Sequence, residues 1–347
     1  MALYGSIKED IINGRYKKGD RLTSKRDLAQ QLGVSVVTVE HAYHLLEDDG
    51  YVVSRQRSGF YVRPADSPDQ RGAQRRLLPV VDFKSGFAQY DDFPFNSLSK
   101  VMRTVLSHYG ESILEKPPNR GCAVLRNALS EYLLRSRGMA VDPERIIVGS
   151  GAEYLYMLTV LLLGKDKIYG VEDPSYEKIR LVYAACGAKY ELLPMDSCGV
   201  CSDALQNTKA DVLHVTPFHS FPSGITAPAS KRFEYLTWAS RAGGIIIEDD
   251  YASEFSSGSK PVETVFSMDR NDCVIYMNTF SKSLAPSMRM GYMILPEHLT
   301  QSYDSRFGFF SCTVPAFDQY VLAEFISGGY FERHINRRRR RQAGRRK

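Results

Sequence analysis

The chain has 347 residues, 43% hydrophobic and 24% charged, which suits a globular protein of one large or two ordinary domains and excludes disordered and collagen-like classes. No run approaches the roughly 18 apolar residues of a membrane span, and the N-terminus lacks an apolar stretch followed by a cleavage site, so a cytoplasmic chain with no membrane partner is expected. The net charge of +5 is local: nine Lys or Arg and no acid lie between Arg333 and Lys347, which leaves −4 for everything before them.

Residues 4 to 13 read as a helix, followed by the turn-rich GRYKKGDRL. Ser24 can cap a second helix that Gly33 ends, and Ser35 can cap a third, with Val39, Ala42, Leu45 and Leu46 on one side and Gly50 as its stop. Two helices joined by a short Gly-containing turn are a helix-turn-helix pattern. YVVS and FYVRP then alternate like strands around the polar tip RQRSG, which makes a wing. In such a module the start of the third helix enters the major groove of double-stranded DNA, so Ser35, Thr38 and His41 are candidates for bases or phosphates. Lys25 and Arg26 are candidates for the phosphate backbone, and Arg55 and Arg57 for an adjacent groove or phosphate. The local net charge is only +2, which keeps a protein-interaction module open as an alternative.

The segments LYGSI, INGRYKKGDRLTSKRDLAQQLGVS, TVEHAYHLLEDDGYV and SGFYV together resemble the GntR-type winged helix along its whole length. Val36 departs from that family, which often has Arg directly after the serine of the third helix. The expected organisation is a DNA-binding domain over 1–64, a linker over 65–80 where Pro, Gly, Asp and Arg replace any apolar period, and a second domain over 81–347.

From Val81 onward, strand-like runs alternate with helices, the pattern of an α/β sheet covered on both faces. The strand candidates are RIIVGSG, KIYGVEDP, DVLHVTP, GGIIIEDD, CVIYMNTF and MGYMIL, with helices at EYLYMLTVLLLG and SKRFEYLTWASRAG. Ligands of such sheets gather beyond the carboxyl ends of strands. There the chain places Gly151, Ala152 and Glu153 opening a helix, whose free N–H groups suit a phosphate, with Thr279, Ser281 and Arg289 as further phosphate donors. Lys282 can form a Schiff base, and an acid ending the preceding strand can pair with a protonated pyridine nitrogen. Six cysteines in a cytoplasmic chain read as reduced thiols. Cys198 and Cys201 form a CxxC without a second ligand pair, so no metal is expected and LPMDSCGVCSDAL reads as a surface loop.

PSYEKIR, HSFPSG, IIEDDYASEF and IYMNTFSKSLAPSMRMGYMILP resemble the aminotransferase-type domain of the MocR subgroup of GntR regulators, a fold type I domain that binds pyridoxal 5'-phosphate. The resemblance implies that Lys282 is the catalytic-type Schiff-base lysine, Asp249 the pyridine partner, Tyr251 the partner of the ring oxygen and Tyr176 the stacking ring. It further implies that Thr279, Ser281, Arg289 and the Gly151 to Glu153 turn hold the phosphate. Departures are Ser220 where the family often has Gln, Phe221 where active aminotransferases have Asn, and LEKPPNR before Gly121 where they carry a cross-subunit Tyr. The last two favour a regulator that senses an amine or amino acid over the alternative of a working aminotransferase, and the resemblance implies a homodimer. The segment FISGGYFERHINRRRRRQAGRRK resembles the lead into a small C-terminal subdomain, so a truncated family member is a third expectation, and a basic nucleic-acid tail a fourth.

Overall fold

Local chemistry accounts for the first helices. In the computed structural model, which describes residues 2–17, 19–49, 51–55, 58–62, 93–255 and 263–345, α1 spans Ala2–Ile12, α2 Lys25–Leu32 and α3 Val36–Asp48. Ser24 accepts from the Asp27 N–H and Ser35 from the Thr38 N–H, so each serine satisfies a backbone donor that its helix leaves open. Gly33 closes α2 in the left-handed region at φ 65°, where a side chain would be strained. The wing is the antiparallel pair β1 Val52–Arg55 and β2 Gly59–Val62, to which Arg21 adds a bridge opposite Tyr61. Ile7, Leu22, Ala29, Val39, Tyr43, Leu46, Val52, Phe60 and Val62 form the core of this unit. Gly50, Gln56, Arg57 and the expected linker 65–80 lie outside the described residues.

The chain divides into two compact units, Met1–Ala88 and Gln89–Lys347. In the second, helices α4 Phe95–Tyr109 and α5 Ala123–Arg137 precede the sheet. Its strands are β3 Ile146–Gly149, β4 Ile168–Asp173, β5 Lys189–Asp196, β6 Gly199–Val200, β7 Val212–Val215, β8 Ile245–Asp249, β9 Val274–Thr279 and β10 Gly291–Ile294. The eight lie in the order β3-β10-β9-β8-β7-β4-β5-β6. β10 and β6 run against their neighbours while the rest share one direction, so the sheet is mixed and the carboxyl ends of the main strands emerge on one edge. One face packs against helices that include α5 and α13 Ala316–Ser327, the other against α6 Ala152–Leu163 and α7 Glu177–Ala185. Burial on both faces explains why these strands are near-continuous apolar runs.

The expected surface loop LPMDSCGVCSDAL is instead ordered. Its first residues end β5, Gly199 and Val200 pair back on Met195 and Asp196, and α8 Ser202–Asn207 follows, with α9 Ala229–Ala242, α10 Val265–Met268, α11 Phe280–Ser283 and α12 Glu297–Phe307 further along the chain. The arginine-rich stretch forms α14, Tyr330–Arg345, with Phe331 and Ile335 in the core and with Arg338 and Arg339 donating to the carbonyls of Lys282 and Glu254. Among the described residues no helix is long and apolar enough to cross a membrane.

Candidate cofactor site and DNA interface

Because β3, β4, β8 and β9 end on the same edge, the residues that close them come together there. Thr279 of β9 and Gly149 of β3 both pair with Gly291, so β10 holds the start of α6 beside the Thr279 to Lys282 turn. Gly151, at φ 102°, opens α6 in a conformation closed to side chains. A Cβ on it would come within 2.7 Å of Arg289 Nη2, so glycine is what lets the guanidinium approach the helix start. Arg289 itself adopts a left-handed backbone at φ 41°, an uncommon conformation for a non-glycine residue.

This cradle already holds an anion of the protein's own. Glu153 accepts from Arg289 Nη2 and from Lys178 Nζ, each at 2.7 Å. Burial works against its ionisation, but these two hydrogen bonds prevail and hold its carboxyl down at about 2. Thr279 is buried at the end of β9, with Ser281 half-buried beyond it.

The Lys282 ammonium stands 4.5 Å from the Tyr251 ring centre and 6.0 Å from that of Phe255. The residue is exposed by area, yet the loss of water around its amine lowers its pKa below the usual lysine value, and Arg338 adds to this while Glu254 opposes it. Asp249 is buried at the end of β8 and accepts a short hydrogen bond from the Tyr156 hydroxyl. Tyr251 donates to the His219 carbonyl at 2.6 Å, and burial first, then the charges of Asp249 and Glu172, push its phenol up to about 12. Tyr176 lies edge-on to Phe221 at 6.2 Å, both partly exposed.

In the N-terminal unit, Arg26, Ser35, Thr38, His41 and Arg55 are exposed. Ser35 and Thr38 bond to each other at 2.8 Å, and Lys25 makes a short ion pair with Glu40 of α3. Lys25 is thus paired within the fold. Arg55 lies 4.5 Å over the Tyr61 ring. Val36 and Val37 are exposed at the start of α3, Val37 to 72%.

Residues 1–62 match the family of bacterial regulatory proteins called GntR, and residues 79–347 match aminotransferase class I and II. The HTH-type transcriptional regulator YdeL of Bacillus subtilis is 36% identical over 97% of this chain and 75% of its own length. The probable rhizopine catabolism regulatory protein MocR of Rhizobium meliloti is 31% identical over 99% of this chain and 75% of its own. This chain belongs to the MocR-type GntR regulators. Among solved structures, the α-aminoadipate aminotransferase LysN of Thermus thermophilus, complexed with N-(5'-phosphopyridoxyl)-L-leucine, matches with a TM-score of 0.65 and 25% identity, covering 78% of this chain and 70% of that one.

Within this MocR-type chain, the structure adds residues that the motifs did not single out. Lys178 completes the cradle around Glu153. Glu172 is fully buried at the end of β4, its carboxyl pushed up to about 8 by burial while the Ser220 hydroxyl, donating at 2.8 Å, pulls the other way. Ser220, the departure from the family motif, is therefore committed to Glu172. His214 of β7 lies beside Asp249. Its signal was a histidine inside a buried apolar strand: His214 pairs with Ile247, two residues before Asp249 and so on the same face.

Proposed function

We propose that this chain is a cytoplasmic transcription regulator that binds a double-stranded DNA operator through residues 1–64 and holds pyridoxal 5'-phosphate in residues 81–347, joined by a linker over 65–80. Its role is to sense an amine or amino acid, as a homodimer. The observation that carries the reading is the desolvated amine of Lys282 beside Tyr251, two residues from the buried carboxylate of Asp249.

The residues present fit the cofactor. A cradle at Gly151 that a Cβ would fill is lined by Arg289 and already balances one carboxylate, the charge pattern a phosphate needs. A buried carboxylate and a buried histidine with an unpartnered ring nitrogen, in turn, suit a protonated ring nitrogen.

In this reading Arg289, the N–H groups of Gly151, Ala152 and Glu153, and the hydroxyls of Thr279 and Ser281 hold the phosphate. Asp249 would accept the ring N–H, Tyr176 would cover the ring, and Tyr251, whose hydroxyl here donates to the His219 carbonyl, would serve the ring oxygen. Bound there, pyridoxal phosphate supplies an aldehyde carbon that combines reversibly with amines and a ring that withdraws electrons. Lys282 is the amine set against that carbon, and its lowered pKa keeps more of it neutral, and so nucleophilic, at a given pH. Free Lys282 stands beside Tyr251, with Arg338 donating to its carbonyl, so whether this amine is free or combined would be the difference the DNA-binding unit reads.

On DNA, Arg26 and Arg55 neutralise phosphates, with Arg57 added from the wing tip, while the start of α3 faces base edges with Ser35, Thr38 and His41. The test is borohydride trapping with pyridoxal phosphate followed by peptide mapping. The label should fall on Lys282 and vanish in Lys282→Ala. A label on another lysine, or an unchanged yield in the variant, would contradict the assignment.

A further inference from the structure

His214 is 1% exposed and lies behind Asp249, the carboxylate proposed for the cofactor's ring nitrogen. Its Nδ1 lies 2.6 Å from the hydroxyl of Tyr183, itself fully buried on α7. Its Nε2 has no hydrogen-bond partner among the described residues and stands 3.8 Å from Asp249 Oδ2. A buried ring nitrogen without a partner is costly unless something charged faces it.

The two neighbours select one tautomer. With Tyr183 donating to Nδ1, Nε2 carries the hydrogen and presents it to the carboxylate; the reverse assignment would set a nitrogen lone pair against an anion. Tyr156 donates to the same oxygen, Oδ2. Oδ2 is therefore hydrogen-bonded by a hydroxyl on α6 and faced at 3.8 Å by an imidazole on β7, which leaves Oδ1 for a further donor.

We propose that His214 is a positioning residue for the cofactor. Fixed by Tyr183, it turns its Nε2–H toward Asp249 Oδ2, orients that carboxylate, and so sets Oδ1 to accept from the ring N–H of pyridoxal phosphate. The inference rests on the cofactor reading given above.

Three substitutions separate this role from packing. His214→Gln keeps an amide N–H at about the reach of Nε2. His214→Asn offers an amide only toward Tyr183, and His214→Phe keeps the bulk of a ring alone. Pyridoxal phosphate is titrated into each full-length variant, followed by absorbance, with the melting temperature of the unliganded protein measured alongside.

His214→Asn and His214→Phe should weaken binding roughly five- to tenfold, less than a full hydrogen bond to a charged group would contribute, because 3.8 Å is beyond hydrogen-bond distance. They should also displace the absorbance maximum of the bound cofactor, and His214→Gln should restore most of both effects. In an Asp249→Ala background the difference between His214 and Phe should disappear, because the effect travels through that carboxylate. Equal penalties with and without Asp249, or an Asn variant that binds as the unsubstituted chain does, would overturn the inference while Lys282 trapping still succeeded. Failure of the unsubstituted chain to take up pyridoxal phosphate at all would remove the cofactor reading and this inference together.

Discussion

Glu153 sits where a phosphate is proposed to bind, and its carboxylate takes hydrogen bonds from both Arg289 and Lys178. Ligand and side chain thus compete for the same guanidinium. Glu153→Gln removes the internal anion but leaves the helix N–H groups and both cations, so pyridoxal phosphate should bind several-fold more tightly, as a spectral titration would record. Unchanged or weaker binding would mean that Glu153 organises the cradle rather than contesting it.

Lys282 carries a pH dependence of its own. Its pKa is lowered chiefly by burial and then by Arg338, so the neutral amine appears at lower pH than for a free lysine. The rate of cofactor capture should rise with pH to a midpoint below 10.5, and Arg338→Gln, by removing a neighbouring positive charge, should move that midpoint upward. The linkage to stability has the opposite benefit. A lysine with a depressed folded pKa binds its proton less well when folded, so it disfavours folding at neutral pH, and that penalty fades as pH rises through the folded and then the unfolded value.

Single residues differed in how legible they were. Lys282, Asp249 and Arg289 stand in compact motifs at strand ends, and topology alone brings such ends together. His214, Lys178 and Arg338 matter through partners 25 to 56 residues away, a pairing that no local pattern encodes.

Among elements, α2, α3 and the wing were readable because serine caps, Gly33 and a polar hairpin tip each act over a few residues. β5 was not. KYELLPMD contains Pro194, which lacks a donor, and its outer side is paired only at Met195 and Asp196, so most of the strand behaves as an edge where polar residues and proline are tolerated. The basic run of α14 was ambiguous in sequence because arginines serve backbone capping and phosphate binding equally well; here Arg338 and Arg339 engage carbonyls near Lys282 and Glu254.

The recognition element carries its own prediction. Arg26 and Arg55 are exposed, whereas Lys25 is tied to Glu40. Ala substitutions at Arg26 or Arg55 should each weaken binding across DNA sequences and reduce the salt slope by about one. Lys25→Ala should do less, since its charge is already partly balanced by Glu40. Equal losses at all three, measured by anisotropy over a salt series, would show that DNA draws Lys25 away from Glu40.

At the scale of the whole molecule, two units of separate cores are joined in one chain, and the second keeps an aminotransferase-type sheet with its strand-end residues assembled. On the proposed function, the state of the Lys282 amine alters DNA binding. By linkage, a ligand shifts operator affinity only as far as it binds the DNA-competent and DNA-incompetent forms unequally. The most direct measurement is operator binding, by fluorescence anisotropy on DNA flanking the gene, of the unsubstituted chain and of Lys282→Ala, with and without pyridoxal phosphate and a panel of amines. The cofactor, or the cofactor with one amine, should change operator affinity about fivefold or more in the unsubstituted chain, the range of ordinary allosteric coupling, and not in Lys282→Ala. Superimposable curves for both proteins under every condition would contradict it.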